Sequence, residues 1–479
     1  MAKRVTVIDI GSNSVRMVVY EKTSRFSFHI LHEEKSRVRI SENSYQNGGD
    51  LQEIPMQRAF NVLDDFLLIS QSYKSRKILC VATSALRDAP NKKEFIHKVR
   101  DRLKLNIKII DGKKEAYFGA IACANLLPKQ ENSVTIDIGG GSTELAIIND
   151  KDISHSLSLN LGTVRIKELF LDNNNFSEAK EYIDEELEKL VEFFPSTIVG
   201  LGGTFRAISL AIMQKSDYPF DKIHAYEYSK EKLQNFLSQI LNSSTDKMLQ
   251  ELGIPSNRLD DIRSGTLILE RILVKLSSVT DIITSKVGVR EGVYLADMLR
   301  NSKHRFPHNY NSSVRYLIDT QIVDTNYSNQ LNTLVKKLFD LTSDYFSLDK
   351  KYRYELGLSA KLYSRDRYNS YRIETALEYG FKHSEIILIA TLQKYVLDGS
   401  LSQKYKKRYA LLLPENNSLD SLSYLLALAV ALLTHKPRNI DFKLEFIEGI
   451  LYVESKRELY LSKEAVKKLS SYKDFRINF

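Results

Sequence analysis

Short apolar runs alternate with amphipathic stretches along the first 300 residues of the chain. The runs Val5 to Ile8, Lys77 to Ala82 and Thr197 to Leu201 are rich in β-branched residues, which is typical of buried strands. Between such runs, apolar residues recur at helical spacing over Met56 to Tyr73 and Leu259 to Leu276. Strands that alternate with helices predict an α/β fold.

The remaining elements of this part follow the same alternation. Strands are expected at 107–110 and 281–285, and helices at 91–103 and 177–194, the last of them beginning with an N-cap at Ser177. Beyond residue 301 the strand pattern fades. The polar stretch from Asn301 to Asn309 contains a proline and is predicted to be a linker.

The last third of the chain is predicted to be mainly helical. Helical periodicity is long over Leu331 to Phe346, Tyr354 to Tyr363 and Leu419 to Thr434, and a short β element is expected at Phe442 to Tyr460. A chain of 479 residues is too long for one core. The predicted domains are therefore 1–125, 126–300 and 301–479.

One segment of the chain occurs twice. Its copies are Ile8-Asp9-Ile10-Gly11-Ser12-Asn13-Ser14 and Ile136-Asp137-Ile138-Gly139-Gly140-Gly141-Ser142. Apolar β-forming residues flank both copies, so each is predicted to be a strand, a tight turn and a second strand. Two matching hairpins indicate two matching domains.

The turns of these hairpins have the composition of an anion site. Their small residues let backbone N–H groups approach a ligand without a Cβ in the way, and two such turns that face each other would hold a phosphate chain. Asp9 and Asp137 would then lie beside phosphate, where a carboxylate is unfavourable unless it binds a hard cation. Mg²⁺ is the natural candidate. The alternative is that Asp-x-Gly is ordinary hairpin chemistry.

Composition narrows the class of protein. A hydrophobic content of 43% is typical of soluble globular proteins, and the longest apolar run, Leu422 to Leu433, is too short to span a bilayer. No membrane association is therefore expected. Met1 to Arg4 lead straight into a strand without a signal peptide, and Cys80 and Cys123 are predicted to be reduced core thiols. A cytoplasmic location is the expectation.

Most of the net positive charge of the chain lies in its last third. Residues 301–479 hold 28 Lys and Arg against 20 Asp and Glu, most of the formal net charge of +9. The densest patch, Lys404 to Tyr409, suits an extended polyanion, although a solvated basic face is the simpler interpretation. No nucleic-acid-binding motif accompanies the charge, so no specific nucleic-acid partner is expected.

Five further elements accompany the two turns. They are Thr83-Ser84-Ala85-Leu86-Arg87 at a strand end, Glu115 after the strand at 107–110, Glu144 beyond the second turn, Gly200-Leu201-Gly202-Gly203-Thr204, and Arg290 in the turn from Gly288 to Gly292. In this combination and order, the seven motifs resemble the exopolyphosphatase / guanosine pentaphosphate phosphohydrolase (Ppx/GppA) family. The resemblance covers residues 3–300.

The resemblance implies a fold. It implies two actin-like domains of the sugar kinase/Hsp70/actin superfamily, each ribonuclease-H-like, around a cleft. Long family members end in an HD-type region, whose metal site needs paired His and Asp ligands. Residues 354–400 offer only Asp366, Asp398 and His383, without metal-ligand spacing. The tail is therefore expected to be HD-like and metal-free, to extend a polyanion channel or to form the contact of a homodimer.

The resemblance also implies roles for individual residues. Glu115 matches the catalytic base and Arg87 the phosphate-contacting arginine. Asp137 and Glu144 match the acids associated with metal and water, and Asp9 joins them as an expected Mg²⁺ ligand. The expected phosphate-binding residues are Gly11, Ser12, Asn13, Ser14, Gly139, Gly140, Gly141, Ser142 and Arg290.

Simpler interpretations stay open at two of these residues. An acid such as Glu115 is favoured by the helix dipole alone in a first helical turn, and Arg290 is equally suited to a structural ion pair with Glu291 or another carboxylate. The chain also departs from the family, because Lys113 and Lys114 precede Glu115 where an acid usually stands. Their charge is expected to lower the pKa of Glu115.

The leading functional hypothesis is a processive exopolyphosphatase that releases terminal orthophosphate from inorganic polyphosphate by Mg²⁺-dependent, in-line attack of water. The close rival is hydrolysis of guanosine pentaphosphate to the tetraphosphate, the alarmone of the stringent response, and both activities together are compatible with the motifs. Two hypotheses of other classes are a non-enzymatic regulator that binds polyphosphate or the alarmone, and a kinase that shares the fold. Retention of Glu115, Asp137 and Glu144 argues against a pure binder.

Overall fold

The computed structural model describes residues 3–366, 368–469, 472 and 474–479. Its first three hundred residues contain two sheets, which share one strand order over five strands. The first sheet contains β1 (Arg4–Ile10), β2 (Val15–Lys22), β3 (Phe28–Ser36), β4 (Lys77–Ala82) and β5 (Ile107–Ile109), in the order β3-β2-β1-β4-β5. β2 runs antiparallel to β1 and β3, whereas β4 and β5 run parallel to β1.

The second sheet repeats this arrangement. It contains β6 (Ser133–Ile138), β7 (Thr143–Asn149), β8 (Asp152–Leu159), β9 (Thr197–Leu201), β10 (Tyr226–Ser229) and β11 (Asp281–Thr284), in the order β10-β11-β9-β6-β7-β8. From β8 to β11 the order and directions match those of the first sheet, and β10 is an additional antiparallel edge strand. The duplicated hairpin thus corresponds to a duplicated sheet, and the predicted α/β architecture is confirmed.

Helices connect the strands of both sheets. They are α1 (Glu53–Ser72), α2 (Ser84–Asp88), α3 (Lys92–Leu103), α4 (Gly112–Leu126), α5 (Thr163–Leu169), α6 (Phe176–Leu187), α7 (Gly202–Lys215), α8 (Lys230–Leu241), α9 (Asp246–Glu251), α10 (Ile262–Lys275) and α11 (Val289–Met298). α1 is representative, since Ala59, Leu63 and Phe66 recur at helical spacing and are buried in the core of the first sheet.

The predicted limits hold for strands better than for helices. The strands at 77–82 and 197–201 have the predicted ends. The helix expected at 177–194 ends at Leu187 instead, and its N-cap is Asn175, not Ser177. Pro195 disfavours helical conformation at the residue before it, and Val191 and Phe194 are exposed, so a longer helix would bury little.

The chain divides into two compact units, Met1–Ser312 and Ser313–Phe479. The first unit contains both sheets, and residues 301–311, which include the predicted linker, form turns and irregular chain. The predicted domain boundaries at 125 and 300 stay predictions. Over the part of the chain that the structure describes, no helix combines the length and the apolar character that crossing a bilayer requires.

The second unit is mainly helical, as predicted. Its helices are α12 (Ser312–Gln321), α13 (Thr325–Thr342), α14 (Tyr352–Lys361), α15 (Asn369–Ala376), α16 (His383–Asp398), α17 (Gln403–Arg408), α18 (Asn416–Leu432) and α19 (Tyr460–Lys467). The strands β12 (Phe442–Ile447) and β13 (Ile450–Ser455) form the expected β element, and β14 (Arg476–Asn478) pairs with β13. α18 is buried on every side from Ser421 to Leu432, and its leucines form part of the core of this unit.

The residues considered for an HD-type metal site are far apart in this unit. His383 and Asp398 begin and end α16, so about 22 Å of helix separates them. Asp366 forms an ion pair with Arg372 at 2.6 Å. In the described parts of the chain, no group of three or more His, Cys, Asp or Glu side chains is placed to hold a metal ion. The HD-like character of the unit stays a prediction.

Two helices of the first unit pack with their backbones almost in contact. A Cβ added to Gly292 of α11 would lie 1.9 Å from the carbonyl oxygen of Phe118 of α4. Only glycine permits this approach, since a carbonyl of a helix cannot move without the helix. The contact matters for position, because Glu115 lies in the first turn of α4 and Arg290 in the first turn of α11.

Gly292→Ala is therefore expected to destabilise the first unit by about 2 kcal/mol, because the two helices must separate. Gly357→Ala in α14 is the matched control: the added Cβ would meet mainly the flexible end of Lys336, which can move aside. Its effect is expected to stay within about 0.5 kcal/mol. Scanning calorimetry measures both, and equal effects of the two substitutions would contradict the argument.

Candidate active site

The two predicted turns face each other across a cleft between the two sheets. In each turn the N–H of the first glycine donates to the carbonyl of the serine three residues on, at 3.2 Å in Gly11–Ser14 and at 2.9 Å in Gly139–Ser142. A Cβ added to Gly140 would lie 2.7 Å from the Cβ of Ser12. The turns therefore touch, and glycine at position 140 is what allows it.

The hydrogen bonds of the turns leave N–H groups available and carbonyl groups occupied. The carbonyls of Ser12 and Asn13 accept from the N–H groups of residues 41 and 39, and those of Gly139 and Gly140 accept from residues 163–165 at the start of α5. Among the described residues, none accepts a hydrogen bond from the N–H groups of 12–14 or 140–142. Each turn thus presents three N–H groups without a protein partner, an arrangement that binds anions.

Most of the predicted site residues line this cleft, which has a volume of about 270 Å³. Arg87 and Gly141 lie against lining residues instead: Arg87 donates to Glu115, and a Cβ added to Gly141 would lie 2.7 Å from Oγ of Ser84 and 3.1 Å from Oγ of Ser12. The structure thus brings the predicted residues together, while their roles stay predictions. Those that line the cleft are Asp9, Gly11, Ser12, Asn13, Ser14, Glu115, Asp137, Gly139, Gly140, Ser142, Glu144 and Arg290.

Glu115 is a buried carboxylate held by an arginine. It lies in the first turn of α4, whose end is capped by the Asp111 carboxylate. Its side chain is 10% exposed and accepts a hydrogen bond from Arg87 Nη1 at 2.9 Å. Burial, and next the neighbouring Glu144 carboxylate, raise the pKa of Glu115 well above its usual value against the opposing effect of Arg87. Arg87 also donates to the Ser142 hydroxyl at 3.3 Å and so joins Glu115 to the second turn.

The pKa of Glu115 is raised on balance despite Lys113 and Lys114, and neither lysine is among the charges that act on it most strongly. Both lysines are exposed, and the Nζ atom of Lys114 lies over the ring of Phe118, 6.0 Å from its centre. Water screens exposed charges strongly, whereas Glu144 acts on Glu115 inside the protein. Burial therefore dominates the proton affinity of Glu115.

Three more acids meet at the cleft. Cross-strand pairing places Asp9 opposite Arg16 and Asp137 opposite Glu144. Burial raises the pKa of Asp9 to about 6 and that of Glu144 to about 7, and it also raises the pKa of Asp137. Ser158 donates to Glu144 at 2.7 Å. The Oδ1 atom of Asp9 is buried and has no hydrogen-bond partner among the described residues.

These acids fit Mg²⁺. A cation would stabilise carboxylates that burial disfavours, and it would provide a partner for Oδ1 of Asp9. Mg²⁺ commonly takes one or two carboxylates and completes its shell with phosphate oxygens and water. It does not need a cluster of three protein ligands, which the described residues do not form here.

Sequence reasoning missed most of the cations of the cleft. The pKa of Arg16 is lowered to about 9, that of Arg206 to about 10 and that of Lys35 to about 8. Burial is the main cause in each case, and repulsion by neighbouring arginines adds to it. None of these three forms an ion pair with a described residue. The cations that line the cleft besides Arg290 are Arg16, Lys35, Arg37, Arg206 and Arg258.

A sequence signal existed for only two of them. Arg16 lies opposite Asp9 in the first hairpin, and Arg206 follows the glycine motif that ends at Thr204. Lys35 and Arg258 come from segments that no motif marks. Their place in the cleft depends on tertiary contacts between distant parts of the chain.

Arg290 forms a structural ion pair and also lines the cleft, while its role as a phosphate-binding residue stays a prediction. Its Nη1 atom donates to the Glu33 carboxylate at 2.9 Å, and its side chain lines the cleft at 7% exposure. Glu291 is otherwise engaged, since it accepts from the hydroxyl of Tyr20 and from the N–H of Gly288, both at 2.8 Å. Glu33 therefore holds Arg290 at the cleft wall.

The remaining two motifs also reach the cleft. Thr83 and Ser84 line it from the end of β4, and residues 202–204 line it from the start of α7. Gly202 has a φ of +82°, and a Cβ there would lie 2.5 Å from Oδ1 of Asp137. Glycine is required at this position both by its backbone conformation and by the close carboxylate.

The Ppx/GppA phosphatase family matches residues 18–301 of this chain, and several known proteins are similar to it in sequence. A bifunctional 3-dehydroquinate synthase/phosphatase of Fusobacterium nucleatum is 32% identical over 56% of this chain and 42% of its own length, so the chain spans less than half of that relative. A guanosine-5'-triphosphate,3'-diphosphate pyrophosphatase of Photobacterium profundum is 24% identical over 90% of this chain and 87% of its own. Exopolyphosphatase 2 of Mycobacterium tuberculosis is 25% identical over 61% and 98%.

A solved structure has the same fold. The crystal structure of the Aquifex aeolicus member of the Ppx/GppA family is 26% identical to this chain and covers 63% of it and 99% of its own chain, with a TM-score of 0.54. The family match, over residues 18–301, falls on the part of the chain that contains the two sheets and the cleft.

Asp9→Asn is expected to stabilise the protein at about pH 8 when divalent cations are chelated. The raised pKa means that the fold is favoured when Asp9 is protonated, and this stability is lost as the pH rises from about 4 through the folded value of about 6. Above that range the ionised carboxylate costs about 3 kcal/mol, which asparagine removes. The thermal unfolding midpoint should therefore rise.

The exposed Asp64→Asn on α1 is the matched control and should leave the midpoint unchanged. Mg²⁺ should raise the midpoint of the wild type more than that of Asp9→Asn. An unaltered midpoint in Asp9→Asn without Mg²⁺, or an equal gain from Mg²⁺ in both proteins, would count against the argument.

Proposed function

The chain belongs to the Ppx/GppA phosphatase family, and from this premise we propose that it is a phosphoanhydride hydrolase that releases orthophosphate from the end of inorganic polyphosphate. The 5′ γ-phosphate of guanosine pentaphosphate is the alternative target of the same chemistry. One relative is named an exopolyphosphatase and another a guanosine-5'-triphosphate,3'-diphosphate pyrophosphatase, which supports both substrates.

The observation that carries the proposal is the meeting of two anion-binding turns with cations that have no acid partner. Arg16, Lys35 and Arg206 lie in the same cleft as the turns, with pKa values lowered by burial and by the other cations. Buried cations that repel one another are stabilised by a ligand with several negative charges. A phosphate chain offers closely spaced charges together with oxygens that accept from the N–H groups of both turns.

The chemistry follows from the position of Glu115. Water attacks the terminal phosphorus, the bond from that phosphorus to the bridging oxygen breaks, and the shortened chain leaves with its oxygen. Glu115 accepts the proton of the attacking water, and its raised pKa brings it closer to the working pH, which favours a general base. Arg87 orients Glu115 and faces the second turn through Ser142, where charge develops on the phosphoryl oxygens.

Asp9, Asp137 and Glu144 are the residues that would hold Mg²⁺. When bound, the ion would neutralise charge on the phosphoryl oxygens. The orphaned Oδ1 of Asp9 and the raised pKa values of the three acids support this proposal. Without a cation, four carboxylates, including Glu115, would face an anionic substrate in one cleft.

The second unit bears on the choice of substrate in two ways. The basic patch from Lys404 to Tyr409 lies on and after α17, and most of the net positive charge of the chain lies in residues 301–479. Both features favour a long polyanion. The relative that matches along 90% of the chain, however, is named for a guanosine substrate. A cytoplasmic homodimer with an HD-like second unit remains part of the proposal.

Glu115→Gln is expected to lower kcat for orthophosphate release by about a thousandfold and to leave KM nearly unchanged, because the amide keeps the shape of the side chain and cannot accept the proton. Release is measured with Mg²⁺ from long-chain polyphosphate and from guanosine pentaphosphate in parallel. The ratio of the two wild-type kcat/KM values identifies the preferred substrate.

The exposed Glu94→Gln on α3 is the control for Glu115→Gln and should keep wild-type rates. Full activity of Glu115→Gln would exclude Glu115 as the base. A wild-type protein that binds both compounds and hydrolyses neither would replace the enzyme by the binding regulator.

We assign Arg206 to phosphates beyond the attacked one, because Arg290, Asp137 and Arg258, and not Glu115, are the charges that act on it most strongly. Arg206→Gln is therefore expected to raise KM for polyphosphate by about tenfold with little change in kcat. The rise should shrink at high salt, which screens the lost attraction. The exposed Arg100→Gln, which removes a surface pair with Asp101, is the matched control. A fall in kcat at constant KM would place Arg206 at the reacting phosphate instead.

A further inference from the structure

One short helix connects the second glycine turn to the opposite side of the cleft. The first three N–H groups of α5, at residues 163–165, donate to the carbonyls of Gly139 and Gly140 at 2.9 to 3.2 Å. The Nε atom of Arg165 donates to the next carbonyl, that of Gly141, at 2.9 Å. The conformation of the turn therefore depends on the position of α5.

The rest of the Arg165 side chain contacts residues in the segments that connect strands of the first sheet. Its Nη2 atom donates to the Asp88 carboxylate at 3.1 Å, and its guanidinium lies 4.6 Å above the ring of Tyr45. The side chain of Arg165 is 15% exposed. One planar group thus holds a phosphate turn of the second sheet and two residues of the first at the same time.

A second residue of α5 makes an independent bridge. The two carboxylate oxygens of Glu168 accept from the backbone N–H groups of Asn43 and Tyr45, at 2.9 and 3.2 Å. Tyr45 also reaches the turn directly, since a Cβ on Gly141 would lie 2.4 Å from its hydroxyl oxygen. The loop around Tyr45 is therefore held by α5 through side chain and backbone.

We propose that Arg165 and Glu168 form a clasp between the two sides of the cleft, which positions the second glycine turn and holds the cleft closed for substrate. Neither residue touches the reacting phosphate in this proposal, so both are positioning residues. Other bridges also cross the cleft, among them Asn13 to Asp261 at 2.7 Å, Arg37 to Asp260 at 3.6 Å and Arg39 to Asp260. Loss of the clasp therefore shifts the closed state toward more open ones and does not separate the two sides.

The kinetic part of this inference rests on the proposed function. If only the closed cleft binds substrate, the apparent affinity falls with the fraction of closed protein, whereas the bound enzyme is closed and reacts normally. A weakened clasp therefore raises KM and leaves kcat unchanged. A residue that only supports the local fold would, when altered, distort the site and lower kcat.

Two variants separate the clasp from general stability. Arg165→Lys keeps the charge but cannot bond to Gly141 and Asp88 while it covers the Tyr45 ring. Glu168→Gln keeps one acceptor and loses the second, and it tests the clasp even if Arg165→Lys does not fold. Lys167→Gln on the same helix is the matched control, because Lys167 pairs with Asp172 on its own side of the cleft.

The first measurement needs no substrate. Gln71→Cys on α1 and Glu181→Cys on α6 place spin labels on exposed sites of the two sides, while the native Cys80 and Cys123 are buried and stay unlabelled. Pulsed electron spin resonance should give longer and broader distance distributions in both clasp variants, and the wild-type distribution in Lys167→Gln. Wild-type distributions in both clasp variants would overturn the proposal.

The second measurement is steady-state kinetics on the preferred substrate. KM should rise about 10- to 100-fold in each clasp variant, as expected for lost charged hydrogen bonds, with kcat unchanged. A lowered kcat at constant KM overturns the positioning role. If the wild type releases no phosphate at all, the proposed function fails, and the distance measurement alone decides whether the clasp exists.

Discussion

Burial of opposite charges in one cleft is the constraint on which the site depends. Asp9, Glu115 and Glu144 have raised pKa values because burial and their mutual repulsion disfavour the charged forms, and Arg16 and Arg206 have lowered values for the same reasons. Neither set would be stable there alone. Each set lowers the free energy of the other, and the surrounding fold has to keep them at a distance where they interact without collapsing into pairs that exclude a ligand.

The duplicated sheet provides that distance. Each sheet delivers one turn, from the hairpin of β1 and β2 or that of β6 and β7, and the turns meet at Gly140 and Ser12. Glu115 and Arg290 come from α4 and α11, which pack at Gly292 with no side chain between their backbones. Rigid elements thus fix the acids and turns, while the loops of the first sheet and α5 determine how closely the cleft is shut.

The parts of the site that depend on short, contiguous sequence patterns could be predicted from the sequence. The two turns, Glu115 and the acids of the strands were identifiable because turn chemistry and strand ends leave short-range patterns. The cations Lys35 and Arg258 and the bridge from Arg165 to Asp88 were not, since each depends on residues brought together from distant segments. The net direction of the pKa shift of Glu115 was not predictable from Lys114 for a related reason. The two residues are adjacent in sequence, whereas the helix directs Lys114 to solvent and buries Glu115.

The cleft is electrically asymmetric from end to end. The charges that act on Glu115 most strongly are Glu144 and Arg87, whereas those that attract Asp137 are Arg206, Arg16 and Arg290. One end is thus acidic, with Arg87 already bonded to Glu115, and the other is rich in arginines, of which Arg290 is paired with Glu33. Under the proposed function, this difference sets the order of product release: orthophosphate formed at the acidic end is held weakly and departs first, while the remaining anion stays among the arginines.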